Sequence, residues 1–419
     1  MAKALTREPI GGDPLAGMHP VSKLLKYRKF LKLVFRETRP IAGVEKITLP
    51  QAVERILARD FRARRFIPNF RRSNFDGYAV RAVDTAGASK SSPVELSLSG
   101  FSKPGKPYSR ALGRRECVRI FTGAALPHGA DAVVMVEYTE ANGGIIRVFE
   151  EVASGSRYDD VGADIRRGSL LLARGRRIRP LDLPIIASQG VNSVEVAIRP
   201  KVLVIPTGNE VKPVGRRLKT SEIYDANSLA VAELIRKRGA IVMTHPPVRD
   251  SPRAISDVLS RSRGRYHMIA FIGGSSAGSE DYVARLVAEK GEVFVHGIAI
   301  SPGRPTLFGR VGKTLVLGIP GHPASSVAVT VLAACPIVDR LSGAIEDAPY
   351  SYVRLHSQPD CPEGLTCVRT IRASGDGATL VYKSSSQLSS FLNSDGYILL
   401  DPETDEGNGD DGWARLHFF

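Results

Sequence analysis

Several short segments of this 419-residue chain carry the residue types that hold and process a charged small molecule. They are Thr207-Gly208-Asn209-Glu210, Tyr224-Asp225-Ala226-Asn227, Val248-Arg249-Asp250, Gly273-Gly274-Ser275-Ser276 with Asp281, Ser301-Pro302-Gly303-Arg304-Pro305 and Gly318-Ile319-Pro320-Gly321-His322-Pro323. Glycines let a backbone approach a ligand closely, and a helix that starts in such a loop offers unpaired N–H groups. A phosphate or another oxyanion is then held without a Walker lysine. Arg304 adds a guanidinium able to clamp an oxyanion through two bonds. The carboxylates of Glu210, Asp225, Asp250 and Asp281 would repel such a ligand unless a divalent cation stood between them, and oxygen donors of this kind suit Mg2+. The chemistry suggested is the handling of a metal-bridged, phosphorylated substrate. Each residue also has a structural role open to it. Asp225 and Asp250 are placed to cap helices, Glu210 to sit in a solvated turn, Gly273-Gly274 to let a helix pack on a sheet, and His322 to pack in its loop. No Ser-His-Asp order, GxGxxG fingerprint or HExxH pair occurs, so hydrolase, dehydrogenase and zinc-protease readings have no support.

The elements that must position these loops follow from apolar periodicity. Over residues 200–345 strands alternate with helices: KVLVIP, a helix from about Asn227 to Arg238 that stops at Gly239, AIVMTH, a helix capped by Ser251 with Pro252 in its first turn, HMIAFI, then a helix ending at Gly291 and strand segments at 293–300 and 313–318. The spacing predicts a doubly wound, mainly parallel α/β domain, whose ligands sit outside the carboxyl ends of the strands. The last helix, about Ala324 to Leu341, is apolar nearly all round and should be buried. Residues 67–156 read as a β-rich module, with runs such as CVRIF and DAVVMVEYT. Residues 21–66 read as helical, with a second periodic segment at Ala52, Val53, Ile56 and Leu57, and we expect them to pack with 157–199 as one discontinuous domain. Residues 346–419 suit a small β-barrel. The fold class is therefore multidomain α/β.

Composition narrows the partners. Fifty-eight Lys and Arg against 43 Asp and Glu leave a net charge of +15, which favours anionic partners. The basic residues are scattered in pairs such as Arg64-Arg65 and Arg166-Arg167, without aromatic platforms between them, which argues against nucleic acid. Ser22 to Phe35 has apolar positions over more than half its circumference, the pattern of a packing helix rather than a membrane-surface one. No run of eighteen apolar residues occurs, no secretory order opens the chain, and Cys117, Cys335, Cys361 and Cys367 have no metal-ligand spacing. These features predict a cytoplasmic protein that makes no use of a membrane.

From about residue 45 to its end the chain resembles the molybdopterin molybdenumtransferase family, that of MoeA and the gephyrin E-domain. Ser73-Asn74-Phe75-Asp76-Gly77-Tyr78-Ala79-Val80-Arg81 is similar to that family's S-x-M-D-G-Y-A-x-R signature. Arg119-Ile120-Phe121-Thr122-Gly123, through Pro127 and Gly129-Ala130-Asp131-Ala132-Val133-Val134, is similar to R-I-x-T-G-x-x-x-P-x-G-A-D-A-V-V. Gly162-Ala163-Asp164-Ile165, Thr207–Glu210, Ile223–Asn227, Pro302–Pro305 and Gly318–Pro323 follow in the family's order and spacing.

The resemblance implies a homodimer of elongated four-domain subunits, with an active site between the α/β domain of one subunit and the β-rich module of the other. It implies adenylylated molybdopterin and molybdate or tungstate as substrates, with AMP released with the help of a divalent cation. Asp76 and Thr122 would then line the site from the partner subunit, with Asp164 near the domain junction. Glu210, Asp250 and Asp281 would position metal or nucleotide, Pro320 and Pro323 would shape the loop beside the oxyanion, and Ser325 would donate to it. The sequence departs from the family where the oxyanion should bind: Gly297 and Ser301 replace lysines, Arg304 replaces lysine and His322 replaces asparagine. Those changes open an alternative, a paralogue that binds molybdopterin or serves as a scaffold without turnover. Arg304 and His296 are the candidate replacements for the lost charge.

Overall fold

The computed structural model describes residues 24–273, 282–345, 350–375, 377–402 and 412–419. The chain divides into two compact units, one made of Arg59–Arg174 with Arg179–Ser193, the other of Met1–Ala58, Gly175–Ile178 and Val194–Phe419.

The second of these units begins with α1 (Tyr27–Glu37). Tyr27, Phe30 and Val34 recur one helical turn apart, and all three lie in the same apolar cluster as Val202, Val231 and Ile337. Phe30 meets Phe308 edge-on with ring centroids 6.0 Å apart. The helix thus completes the α/β core, which offers an apolar face wide enough for its stripe. The second helix expected through Leu57 stops at Ala52. Glu54 takes a positive φ of 64°, and Ile56 and Leu57 continue as extended chain bridged to Arg177 and Val196. Their helical spacing reflects burial in an irregular segment.

In the unit built on Arg59–Arg174, six strands form one mixed sheet: β1 (Gly77–Val80), β2 (Val94–Ser102), β3 (Glu116–Ile120), β4 (Ala132–Met135), β5 (Thr139–Asn142) and β6 (Ile145–Val148), in the order β4-β1-β3-β2-β6-β5. Alternation decides its two faces. Tyr78, Val80, Cys117 and Val134 enter one apolar cluster, while Ala79, Val118 and Val133 enter the other. Beside the sheet, Arg72–Ser73 pairs with Tyr158–Asp159, and Phe61–Arg62 with Leu170–Leu172.

The α/β part of the other unit contains β7 (Lys201–Pro206), α2 (Asn227–Lys237), β8 (Ile241–Thr244), α3 (Pro252–Ser262), β9 (Met268–Ile272), α4 (Tyr282–Lys290), β10 (Glu292–His296), β11 (Ile300–Ser301), β12 (Leu307–Val311) and β13 (Thr314–Ile319). Its sheet runs β8-β7-β9-β13-β12-β10. The first four strands are mutually parallel, and β12 is antiparallel to both of its neighbours. Val202 and Val204 face α1 and α2, while Leu203 and Ile205 face Ile255 and Leu259 of α3 and Val283 and Val287 of α4. Both faces are therefore covered, which explains why these strands read as continuous apolar runs. The long helical segment Pro323–Ser342 is apolar enough to cross a membrane by length and composition, but 78% of its apolar window is buried in this core. It comprises α5 (Pro323–Val329), a π-helical turn over Thr330–Ala334 and α6 (Cys335–Ser342).

The C-terminal strands β14 (Tyr350–Arg354), β15 (Thr366–Ser374), β16 (Gly377–Leu380), β17 (Gly396–Leu400) and β18 (Trp413–Phe418) follow. They are ordered β15-β17-β18-β14 with β16 on β15, and a bridge from Leu355 to Ala378 completes a circuit around Cys367, Ile371, Ile398 and Leu416. β11 joins this sheet, parallel to β15. Cys361 and Cys367 form a disulfide that the sequence did not announce, while Cys117 and Cys335 are free and buried.

Candidate functional site

The α/β sheet delivers its loops to one edge. β7, β8, β9 and β13 all end there, and β12, which runs the other way, starts there with Leu307 opposite Gly318. The Ser301–Pro305 loop therefore reaches the same edge as Pro320–Pro323. Backbone bonds fasten the loops to one another. Thr207 N–H donates to Ile272 O (2.8 Å), Gly208 N–H to Val248 O (3.1 Å) and Gly273 N–H to Ile319 O (2.9 Å). The Asn209 side-chain oxygen accepts from Asp250 N–H at 3.3 Å, and Asn227 Nδ2 donates to Gly321 O at 2.7 Å. Glu210, Asp250 and Gly321 thus belong to one rim. Pro320 is buried and the Arg304 side chain is exposed, in no ion pair among the described residues.

Within that rim the structure separates helix caps from candidate ligands. Asp225 accepts from Ser228 N–H at 3.1 Å through one oxygen and from the Ser228 hydroxyl through the other, so it caps α2. α3 is capped by Ser251, which accepts from Ala254 N–H at 3.3 Å. Asp250 and the exposed Glu210 are the candidate ligands among the rim carboxylates. Among the described residues no group of three His, Cys, Asp or Glu is placed to hold a metal. Two carboxylates on one rim nevertheless match Mg2+ chemistry, in which one or two protein carboxylates are joined by substrate phosphate and water. Gly274, Ser275, Ser276 and Asp281 lie outside the described residues.

The loop before α5 is tied down by residues that sequence reasoning missed. Ser326, fully buried, donates its hydroxyl to Pro320 O at 2.7 Å, and its N–H goes to His322 O at 2.8 Å. Ser385, from the segment between β16 and β17, takes Ala324 N–H on its carbonyl at 3.0 Å, and its hydroxyl lies 3.2 Å from His322 Nδ1. Pro323 opens α5, and Ser325 is buried in its first turn. Ser385 stands in a plain serine run more than sixty residues downstream of His322, so no spacing could have linked the two.

In the β-rich unit, Asp76 and Thr122 are paired. Asp76 Oδ1 accepts both Thr122 N–H (2.7 Å) and the Thr122 hydroxyl (2.8 Å). These two bonds, with a smaller contribution from the Arg119 guanidinium, hold the Asp76 carboxyl below the usual carboxylate range. The preceding turn is fastened by Asp159, also missed from sequence, which accepts from Asn74 Nδ2 at 2.8 Å and Arg72 Nη2 at 2.9 Å. Asp164 is exposed, with its N–H on Ile67 O at 3.0 Å.

A family model described as the MoeA N-terminal region (domain I and II) matches residues 25–190, and one described as a probable molybdopterin binding domain matches residues 203–340. The molybdopterin molybdenumtransferase of Haemophilus influenzae is 31% identical over 300 residues, covering 71% of this chain and 73% of that protein. That of Bacillus subtilis is 30% identical over 312 residues, covering 73% and 72%. Among solved structures, a molybdopterin biosynthesis MoeA protein from Pyrococcus horikoshii superposes with a TM-score of 0.82 at 27% identity, covering 94% of this chain and all of that one.

Proposed function

The chain belongs to the MoeA family, and from that premise we propose that it inserts molybdate or tungstate into adenylylated molybdopterin with release of AMP. It acts in molybdenum cofactor biosynthesis as a molybdopterin molybdenumtransferase, the activity for which its curated relatives are named. That reading is favoured over a paralogue that binds molybdopterin without turning it over. The observation that carries the mechanism is the convergence of the Thr207–Glu210, Val248–Asp250, Gly273, Ser301–Pro305 and Pro320–Pro323 loops on one sheet edge, with hydrogen bonds joining Thr207–Glu210 to Val248–Asp250, Gly273 to Ile319 and Asn227 to Gly321.

Each described residue has a definite task in this reading. Arg304 presents its exposed guanidinium to phosphate or oxyanion. Gly273 lets the substrate approach the backbone, and Pro320, Pro323 and Ser325 shape the oxyanion side of the pocket. Asp225 keeps the start of α2 in place. Glu210 and Asp250 would hold Mg2+, which when bound neutralises phosphate charge. Asp76 is ionised at neutral pH with Oδ1 occupied by Thr122, so Oδ2 is the acceptor available to a substrate N–H or hydroxyl. Asp164 would line the same module. We take the working form to be a cytoplasmic homodimer on family likeness, a point that sedimentation tests.

The activity test is direct. Purified protein with adenylylated molybdopterin, Mg2+ and molybdate should release AMP in proportion to the oxyanion present. Absence of AMP at every molybdate and tungstate concentration would overturn the reading.

A further inference from the structure

We propose that the Cys361–Cys367 disulfide is a reversible brace that acts through Arg369 to hold the Ser301–Pro305 loop, so that oxyanion binding depends on whether the disulfide is formed. The inference rests on the assignment of that loop to the oxyanion site.

The mechanical link runs through two strands. β11 is only two residues long, held on β15 by the pairings Ile300–Thr366 and Ser301–Cys367. Cys367 is therefore the direct neighbour of the residue that begins the loop. Two residues further along β15, Arg369 is buried and reaches back across the pair. Its Nη1 donates to Ser301 O at 3.0 Å, while Nε and Nη2 both donate to Asp360 O at 3.1 and 2.7 Å. The Tyr382 ring lies 4.6 Å from its Cζ. Arg369 is in no ion pair among the described residues; its Nη1 also donates to the neighbouring Val368 O at 3.0 Å, and the carbonyls of Ser301 and Asp360 hold the fork from opposite ends.

Asp360 is exposed and belongs to no strand. Among the described residues, no backbone amide from Ser357 to Gly364 donates a backbone hydrogen bond. Besides the two bonds that Arg369 gives its carbonyl, what fastens Asp360 is its neighbour Cys361, bonded to Cys367. Cys361 is half-buried, so a small thiol reaches it, whereas Cys367 is fully buried. A dithiol reductant would exchange with the pair, taking the disulfide to two thiols while the reductant becomes the disulfide, with two electrons and two protons transferred. The Arg369 bonds would then have to hold Asp360 without the covalent tether, and as Asp360 moved away Arg369 would lose the acceptor that aims its fork at Ser301. In a reducing compartment such a bond is transient, as a switch requires.

The test compares aerobically purified protein, the same protein treated with a dithiol, and the variants C361S/C367S and R369K. Thiol titration in denaturant should find two free thiols before reduction and four after it. Finding four at the outset would overturn the proposal. In the folded protein burial pushes the Cys117 and Cys335 thiols up to about 12, so they stay silent. Amide hydrogen exchange over residues 299–306 should accelerate on reduction. It should already be fast in C361S/C367S and in R369K, which keeps the charge but loses the fork, and neither variant should respond to reductant. The molybdate KM for AMP release should rise roughly fivefold on reduction with kcat little changed, the effect of losing one aligned hydrogen bond. Unchanged exchange over 299–306 on reduction would overturn the brace whatever the activity. Absence of AMP release would sink the proposed function alone, because exchange still decides the brace.

Discussion

Replacing Gly273 with alanine tests whether the sheet-edge loops are packed as tightly as the site requires. Gly273 has a φ of +83°, and a Cβ there would stand 2.8 Å from Thr207 O and 3.1 Å from Thr207 Oγ1. Thr207 cannot step aside cheaply, since its N–H and hydroxyl both donate to Ile272 O, at 2.8 and 3.2 Å. Gly273 is itself held by its N–H on Ile319 O. An L side chain in the left-handed region costs about 1–2 kcal/mol. Forcing a methyl group into a packed contact adds about 1–3 kcal/mol. The expected loss is therefore roughly 2–5 kcal/mol. Gly264→Ala is the control, because Gly264 has a similar φ of +78° with nothing within 4 Å of its Cβ. It should show only the backbone cost. Guanidinium denaturation followed by circular dichroism gives both values, and AMP release gives the KM for the pterin substrate, which should rise in G273A alone. If the two variants lose the same stability to within about 0.5 kcal/mol, the close packing of Gly273 on Thr207 is not what holds this edge.

Three further outcomes follow from particular contacts. Ser326→Ala leaves the carbonyl of the buried Pro320 without its hydroxyl donor, and should cost about 1–3 kcal/mol with a higher molybdate KM; unchanged stability and KM would mean that the hydroxyl does not anchor the loop. Asp76 has a lowered folded pKa, so the stability from its Thr122 bonds is present above the unfolded value of about 3.9 and is lost as pH falls through the lower folded value. Thr122→Val, which keeps the N–H and removes the hydroxyl, should move the Asp76 carboxyl part of the way back up, read by carboxyl NMR titration; no movement would refute the pairing. Ser301→Lys should lower the molybdate KM roughly tenfold through a restored charge-assisted contact, whereas Gly297→Lys should lose stability without that gain, and equal behaviour of the two variants would contradict the backbone geometry described below.

The fold was legible where a single periodicity dominated. Lys201–Pro206 and Met268–Ile272 are apolar throughout because both sheet faces are covered, and Ser251-Pro252 carries its own helix start. Legibility failed where apolar spacing had another cause. Ile56 and Leu57 looked helical because they are buried, although they lie in extended chain. Leu307–Val311 was overlooked as a strand because glycine and arginine interrupt its apolar run, yet it turns the Ser301–Pro305 loop toward the rim. In the site, residues that touch ligand loops through local sequence were found, Ser326 excepted, and those arriving from a distant segment were not. Ser385, Arg369 and Asp159 reach their partners only through tertiary structure.

The two missing lysines look alike in sequence and differ in structure. Ser301 sits in β11 with its side chain half-buried and its carbonyl held by Arg369, a position with no conformational bar to a longer side chain. Gly297 has a φ of +102°, and a Cβ there would meet Leu24 Cδ2 at 2.8 Å. The chain's own N-terminal segment lies over it, since Leu25 N–H donates to Gly297 O at 3.3 Å and Leu25 O accepts from Ala299 N–H at 2.9 Å. A lysine at 297 would have to bear the left-handed strain and displace Leu24 before its charge reached any ligand. The glycine therefore has a conformational and packing role of its own here, so its presence is not evidence that catalysis was lost. The cation we propose for this side of the rim is then Arg304, exposed in a loop that Arg369 holds at its root. Oxyanion affinity in this chain should accordingly follow the placement of that loop more closely than the number of lysines around it.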